Sequence, residues 1–473
     1  MKVFKIILSL LLAIIACLLI FFSINALDLS ALLKEIVPLE TMQQDAGLEK
    51  AVKRINDCLA DGNQNRALRS LNRLLDDYPD KVHLDVQTKL DLFFYRNNKV
   101  MLTLGVYVLF FSAALAVSAF LKQQKHQTAV LVAILVASLY AGIYIVEDLV
   151  GVNSMLMTVL KKGAIYALLA VSMNLLNGFT GLFSLGQAGF MLVGAYTYAI
   201  FTIENTSRAQ VYQYYQGGLV QFTLPTLVAI LLAGLAAAFF AFLIGLPVLR
   251  LKSDYLAIAT LGFAEIIRAV LQYDGLGRIT NGSNLLRKFT TFNTALFPFA
   301  VSGICIALIA LLIHSTYGRS FKAIRDDEVA AEAMGINLFV YKQLAFVISS
   351  FFAGIGGALL AMYQTTVQAA AFTSAMTYEI LLIVVIGGMG SISGSILASF
   401  LFIASSEWWL RFLDNVTYIG TFKVPFFRSG FRMVVFSVII MVVVLFYRKG
   451  IMGDKEFSLK SLMEPRKGGK RRG

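Results

Sequence analysis

Residues 223–249 read TLPTLVAILLAGLAAAFFAFLIGLPVL. No Asp, Glu, Lys or Arg interrupts this run, and it exceeds the roughly 20 apolar residues that cross a hydrocarbon core of about 30 Å as a helix. Further apolar runs fall near 6–22, 100–121, 128–146, 156–177, 183–203, 255–273, 298–314, 343–363, 377–390, 393–411 and 430–447. Only helices and closed barrels satisfy their backbone groups in lipid. The pattern therefore predicts an all-α polytopic membrane protein with about 12 membrane-crossing helices.

Composition agrees. The chain has 473 residues, 58% hydrophobic and 15% charged, with mean hydropathy +0.74; soluble domains average about 45–50% apolar and about 25% charged. A net charge of +13 raises nucleic acid as a partner. The Lys and Arg residues, however, lie mainly between apolar runs and in the tail, as retained cytoplasmic charges do. Membrane lipid is the expected partner, and nucleic acid is not. Cys17, Cys58 and Cys305 occupy dissimilar segments and the chain has three His, so neither a disulfide framework nor a metal centre is predicted.

Charge placement orients the chain. Lys2 and Lys5 precede the run Ile6–Phe22, which favours a cytoplasmic start. Residues 1–26 read as a retained anchor helix, a cleavable signal peptide ending near Ala26, or a segment lipidated at Cys17; each leaves residues 27–99 outside. That stretch mixes acids and bases with Leu at helical spacing and no spanning run. It is expected to be a small helical extracytoplasmic insert. Residues 100–150 are two extra transmembrane helices around Lys122, Lys125 and His126, residues 151–447 form the main core, and 448–473 are a basic cytoplasmic tail. An even count puts both termini inside and also places Arg250, Lys252 and 316–342 there. Lys161 and Lys162 fall at the outer end of a span, where they snorkel or mark a later helix start.

Two glycine-rich breaks interrupt the core. Residues 174–194 read NLLNGFTGLFSLGQAGFMLVG, and 387–394 read GGMGSISG. Broken helices in a membrane are tolerated where protein or a water-filled cavity satisfies the freed backbone, and paired breaks in the two halves of a transporter point to its pathway; close helix packing is the structural alternative. In LRLKSDYLAIATLGFAEIIRAV, residues 249–270, Glu265 lies about 15 Å into the bilayer from Tyr255. Such a charge needs a partner or a cavity. The spacing to Arg268 lets the two meet on one helical face, as a bundle-holding pair or as a lining element. Asn174, Ser184, Gln187, Thr260, Glu265, Arg268, Gly387 and Gly390 are the candidate translocation-pathway residues. Glu407 and Arg411 are expected to form an interfacial pair.

Residues 316–342, TYGRSFKAIRDDEVAAEAMGINLFVYK, are a charged, helix-prone segment between two apolar runs. Arg319, Lys322 and Arg325 recur every third position; Asp326, Asp327 and Glu328 follow, then Ala330, Ala331, Ala333 and a helix-ending Gly335. A solvated loop is the plain reading. The order of basic face, acidic turn, small patch and glycine favours a helix that docks on another protein.

The stretches YALLAVSMNLLNGFTGLFSLGQAGFMLVGAYTYA, LPVLRLKSDYLAIATLGFAEIIR, GRSFKAIRDDEVAAEAMGINLFVYKQLAFVISSFFAGIGGALLA and IVVIGGMGSISGSILA resemble the membrane permease subunits of branched-chain amino acid ABC importers, in the longer, LivM-type form. The resemblance covers roughly residues 155–450. It implies an ABC permease core that pairs with a second related permease and two cytoplasmic ATPases, receives solute from a periplasmic substrate-binding protein, and sits in the bacterial cytoplasmic (inner) membrane. It also implies that 316–342 is the cytoplasmic coupling loop, with Arg319, Arg325, Asp327, Glu328, Ala330, Ala331 and Gly335 as the ATPase-docking set. Val329 stands where the family pattern expects Glu, with Glu328 one residue earlier. Gln187 stands where some relatives carry His. Related permeases carry urea and short amides, so the resemblance leaves the solute open. Residues 27–99 match no segment of the family; contact with the binding protein and a lineage-specific insert are the two readings.

The chain has no G-x-x-x-x-G-K-[ST] phosphate loop. It is expected to be a transport subunit with no ATPase site, no catalytic residues and no cofactor of its own, ATP being bound by its partners. An ion-driven secondary transporter would call for several intramembrane carboxylates, whereas only Glu265 is clearly deep in a span.

Overall fold

The computed structural model describes residues 46–60, 154–215, 217–251, 253–292 and 294–410, with 70, 71, 74, 139, 140, 142–144, 146, 147, 418, 419, 422, 423, 435, 441, 450–453 and 456. The expectations for residues 1–26, for the spans near 6–22, 100–121 and 430–447 and most of 128–146, for Lys252 and Arg411, and for most of the tail lie outside these residues.

The chain divides into two compact units, residues 1–151 and 152–473. In the first, helix α1 (Ala46–Ala60) buries Leu48, Val52 and Ile55. Their spacing of four and three puts them on one face, while Lys50, Lys53 and Arg54 are exposed.

The second unit is a helical bundle: α2 (Met155–Asn174), α3 (Gln187–Thr202), α4 (Thr226–Val248), α5 (Ser253–Gln272), α6 (Leu296–His314), α7 (Thr316–Asp326), α8 (Glu328–Ala333), α9 (Leu338–Gln364), α10 (Ser374–Gly387) and α11 (Ile392–Ala404). Among the described residues, five helices are long and apolar enough to cross a membrane: Met155–Phe179, Thr226–Val248, Tyr255–Gln272, Leu296–His314 and Leu338–Gln364. The count of about 12 is not reached within the described residues. The apolar run expected to span 183–203 becomes helical only at Gln187, because residues 181–186 form no helix. The 16 residues of α3 measure about 24 Å and the 14 of α10 about 21 Å, short of a full crossing.

Helix α9 is the centre of the core, buried from Phe352 through Met362 and packed on α2, α3 and α4. Small residues make the approach possible: a Cβ on Gly354 would stand 2.6 Å from Ala237 Cβ and 2.8 Å from Ala233 O. With no aqueous hydrophobic effect between spans, such close packing is what holds them.

At the end remote from α7, the loops 203–225 and 273–291 are tied together. Buried Arg208 donates to the carbonyls of Phe222 (2.8 Å) and Ile200 (3.3 Å). The Tyr212 hydroxyl donates to Ile279 O at 2.9 Å, and burial pushes its pKa up to about 12. Leu286–Arg287 pairs antiparallel with Thr366–Val367. Lys162 reaches Glu407 at 2.5 Å and lies 5.6 Å from the Tyr166 ring. Arg411, with which the sequence pairs Glu407, lies outside the described residues; within them Glu407 meets Lys162 of α2, and this bond gives Lys162 its place in the span.

Candidate functional site

The first glycine-rich break is a hydrogen-bonded polar knot. Helix α2 runs into a π-turn at Leu175–Phe179, and the chain then passes without regular structure through 181–186 to the start of α3. Freed amides inside a bundle need acceptors, and side chains provide them. Ser184 N donates to Asn177 Oδ1 (3.2 Å), Leu185 N to Thr260 Oγ1 (3.0 Å) and Ala188 N to Thr377 Oγ1 (3.1 Å). Gln187 Nε2 donates to Ser172 Oγ at 2.9 Å, and Ser349 Oγ to Ser172 O at 2.6 Å. Ser184, Gln187 and Thr260 are all buried. The sequence singled out these three; their partners Ser172, Asn177, Ser349 and Thr377 were missed. The only local signal was isolated Ser, Thr and Asn residues in apolar helices.

Asn174 joins this break to the second one. Its Nδ2 donates to Ser391 O at 2.9 Å and Ser395 Oγ at 2.8 Å, and its Oδ1 accepts from Gly390 N at 2.9 Å. The side chain is fully buried and uses both donor hydrogens. Gly388 (φ 111°) and Gly390 (φ 88°) adopt backbone that favours glycine. A Cβ on Gly178 would collide with Asn174 Oδ1 and stand 2.5 Å from Gly390 N.

The arm formed by α7 and α8 rests on this junction. Arg325 Nη1 donates to Gly178 O at 3.2 Å, while its Nε and Nη2 bind Asp326. A Cβ on Gly390 would lie 3.0 Å from Arg325 Nη1, and one on Gly181 3.0 Å from Arg325 Cγ. Lys322 lies 5.6 Å from the Phe179 ring. Two of the three residues read as one basic face thus contact the first break.

The other candidate docking residues divide by environment. Asp327 caps α8, accepting from Val329 N (2.9 Å) and Ala330 N (3.0 Å). Glu328 pairs with Lys342 at 2.6 Å. Ala331, read as part of the docking face, is buried, because the one-turn helix must pack one of its alanines inward. Arg319, Ala330 and Gly335 (φ 85°) are exposed. The most outward apolar side chains are Val329, 78% exposed, and Met334, 83% exposed; the sequence noted Val329 only for the acid it lacks.

Glu265 and Arg268 meet as the spacing predicts, Arg268 Nε donating to Glu265 Oε2 at 2.7 Å. Both are about one-third exposed, on a helix that packs on α3 through Ala264 against Gly189. The pair is separate from the knot. Among the described residues, no group of three or more His, Cys, Asp or Glu is placed to hold a metal.

Comparison with known proteins fits this geometry. A family model described as branched-chain amino acid transport system / permease component matches residues 155–448. The chain is 35% identical over 278 residues to the high-affinity branched-chain amino acid transport system permease protein LivM of Escherichia coli (strain K12), covering 51% of this chain and 61% of that protein's length. It is 22% identical over 328 residues to the probable branched-chain amino acid transport permease protein LivM of Methanocaldococcus jannaschii, covering 62% of this chain and 91% of the relative. The probable LivH permease of the same organism is 26% identical over 224 residues, or 44% of this chain and 67% of the relative. No solved structure matches the chain. The matched region contains both breaks and the arm that bridges them, and the chain belongs to the family of branched-chain amino acid transport system permease components.

Proposed function

We propose that the chain is the membrane permease subunit of an ATP-driven importer of branched-chain amino acids in the bacterial inner membrane. It works with a second related permease, two cytoplasmic ATPases and a periplasmic binding protein, and has both termini in the cytoplasm. The observation that carries this reading is the contact of Arg325 with Gly178, which connects a charged arm to the intramembrane breaks. In this reading α7 and α8 are the coupling element, and Val329 and Met334 insert into an apolar recess of the ATPase. Arg325 and Lys322 transmit the motion to the π-turn.

The knot is then a closed gate. Thr260 on α5 and Thr377 on α10 hold the amides of Leu185 and Ala188. When those helices move apart, the amides at the start of α3 are free for a substrate carboxylate, which a helix N-terminus favours. The partly exposed Glu265–Arg268 pair would be costly against lipid, so this face of α5 is assigned to the pathway or to the second permease.

The test uses the assembled transporter in proteoliposomes. Met334→Asp and Val329→Asp should abolish uptake and release the ATPases while leaving membrane insertion intact. Normal uptake and association in both would refute the docking assignment. Ligand identification on the cognate binding protein should return leucine, isoleucine or valine; urea or a short amide would replace the substrate. Uptake by this chain alone, driven by an ion gradient, would replace the class.

A further inference from the structure

The second break ends one helix and begins another, and each end leaves unpaired backbone groups. At the close of α10, Ile386 O accepts from Ile451 N at 2.7 Å and Gly387 O from Met452 N at 3.2 Å. At the start of α11, Ser391 Oγ accepts from Gly394 N at 3.1 Å. The two preceding amides go to one carboxylate: Ile392 N donates to Glu456 Oε1 at 2.6 Å and Ser393 N to Glu456 Oε2 at 3.1 Å. Ser393 Oγ adds a bond to Glu456 Oε2 at 2.8 Å. A single stretch of chain thus satisfies carbonyls at the end of one helix and amides at the start of the next. The negative charge also sits where the α11 dipole favours it.

We propose that Glu456 is a positioning residue for transport: with the backbone of Ile451 and Met452 it clips the α10–α11 turn into the shape that Asn174 and Arg325 require. The clipped turn is the one whose Gly390 N is held by Asn174 and whose Gly390 Cα faces Arg325 Nη1. Gly450 and Gly453 pack directly on Gly388, so the clip meets the turn along its length. Without it, the turn keeps the Asn174 bonds but gains freedom at Ile392 and Ser393. The arm then moves against a soft stop, and ATP is consumed without moving solute. This rests on the coupling reading of α7 and α8.

The test compares Glu456→Ala and Glu456→Lys with the parent in the assembled full-length transporter. Two quantities are measured: ATP hydrolysed per solute taken up, and amide hydrogen exchange in peptides covering 388–396. Exchange there should rise at least tenfold in both variants, with α9 peptides unchanged. ATP consumed per solute should rise at least fivefold, more for Lys than for Ala because a cation opposes the helix dipole. ATPase association should stay at the parent level. Unchanged exchange would overturn the clip; raised exchange with a coupling ratio within twofold of the parent would overturn its role in transport. Met334→Asp run alongside separates the two readings. If it keeps its ATPases and its uptake, the coupling assignment has failed; if it loses both while the Glu456 variants stay coupled, only the present proposal has.

Discussion

Arg325 on α7 donates through Nη1 to the carbonyl oxygen of Gly178 at 3.2 Å, joining positions 147 residues apart in the chain. Gly178 is in the π-turn that ends α2, and Asn174 at the end of the same helix holds Gly390. Three distant segments therefore share one junction, and the first prediction concerns its cation. On the proposed coupling role, Arg325→Met should lower uptake at least tenfold while the proposed ATPase partners still co-purify. Arg325→Lys should recover little of it, because an ammonium cannot hold Gly178 O and Asp326 with the planar fork that now does so. Parent-level uptake in the Met variant would contradict the bridge.

Gly178→Ala should cost about 2–4 kcal/mol, from overpacking against Asn174 and a displaced Gly390 amide. Gly262→Ala is the comparison, since nothing beyond its own stretch of helix lies within 4 Å of its added Cβ. Alanine there should keep or slightly raise stability, helix propensity favouring it by about 0.8–1.0 kcal/mol. Thermal unfolding in detergent distinguishes the two; equal midpoints would remove the close-approach argument.

Asn174→Leu should destabilise the junction by about 1–3 kcal/mol for each buried group left unpaired, Gly390 N and Ser391 O being the first two. Asn174→Asp should be at least as harmful, because a carboxylate cannot donate to Ser391 O or Ser395 Oγ. Increased proteolysis within residues 387–394 is the accompanying sign.

Lys162→Glu and Glu407→Lys should each reduce the folded yield, and the double variant should recover most of it. The two groups sit 2.5 Å apart on different helices and are only partly exposed. Breaking such a pair strands one charge near the membrane, whereas exchanging it restores the match. Additive losses in the double variant would show that the pair contributes nothing.

Tyr212 carries the pH prediction. Its pKa is raised to about 12 by burial, above the ordinary value near 10. A raised folded-state value means its contribution is fully present below pH 10 and is lost as pH rises toward 12. Unfolding midpoints should therefore fall across that window, and Tyr212→Phe should flatten part of the slope. The variant should also be less stable at neutral pH by about 0.5–1.5 kcal/mol, for the lost bond to Ile279 O. An unchanged slope in Tyr212→Phe would place the titration elsewhere.

Hydrophobic run length alone determined that this is a helical membrane protein, because crossing lipid demands about 20 apolar residues whatever their neighbours are. Local order likewise located both glycine breaks, the charged arm and the Glu265–Arg268 pair, all of which depend on neighbours within a few positions. Only the tertiary structure decided what those pieces do to one another. Arg325 reached the carbonyl of Gly178, Ala331 was buried, Glu407 met Lys162, Asn174 held Gly390, and Ser184, Thr260 and Gln187 became members of one polar knot. Each of these outcomes depends on a hydrogen-bond partner or a packing surface far away in the chain. A residue's type states how many bonds it can make, but only the assembled bundle states with whom.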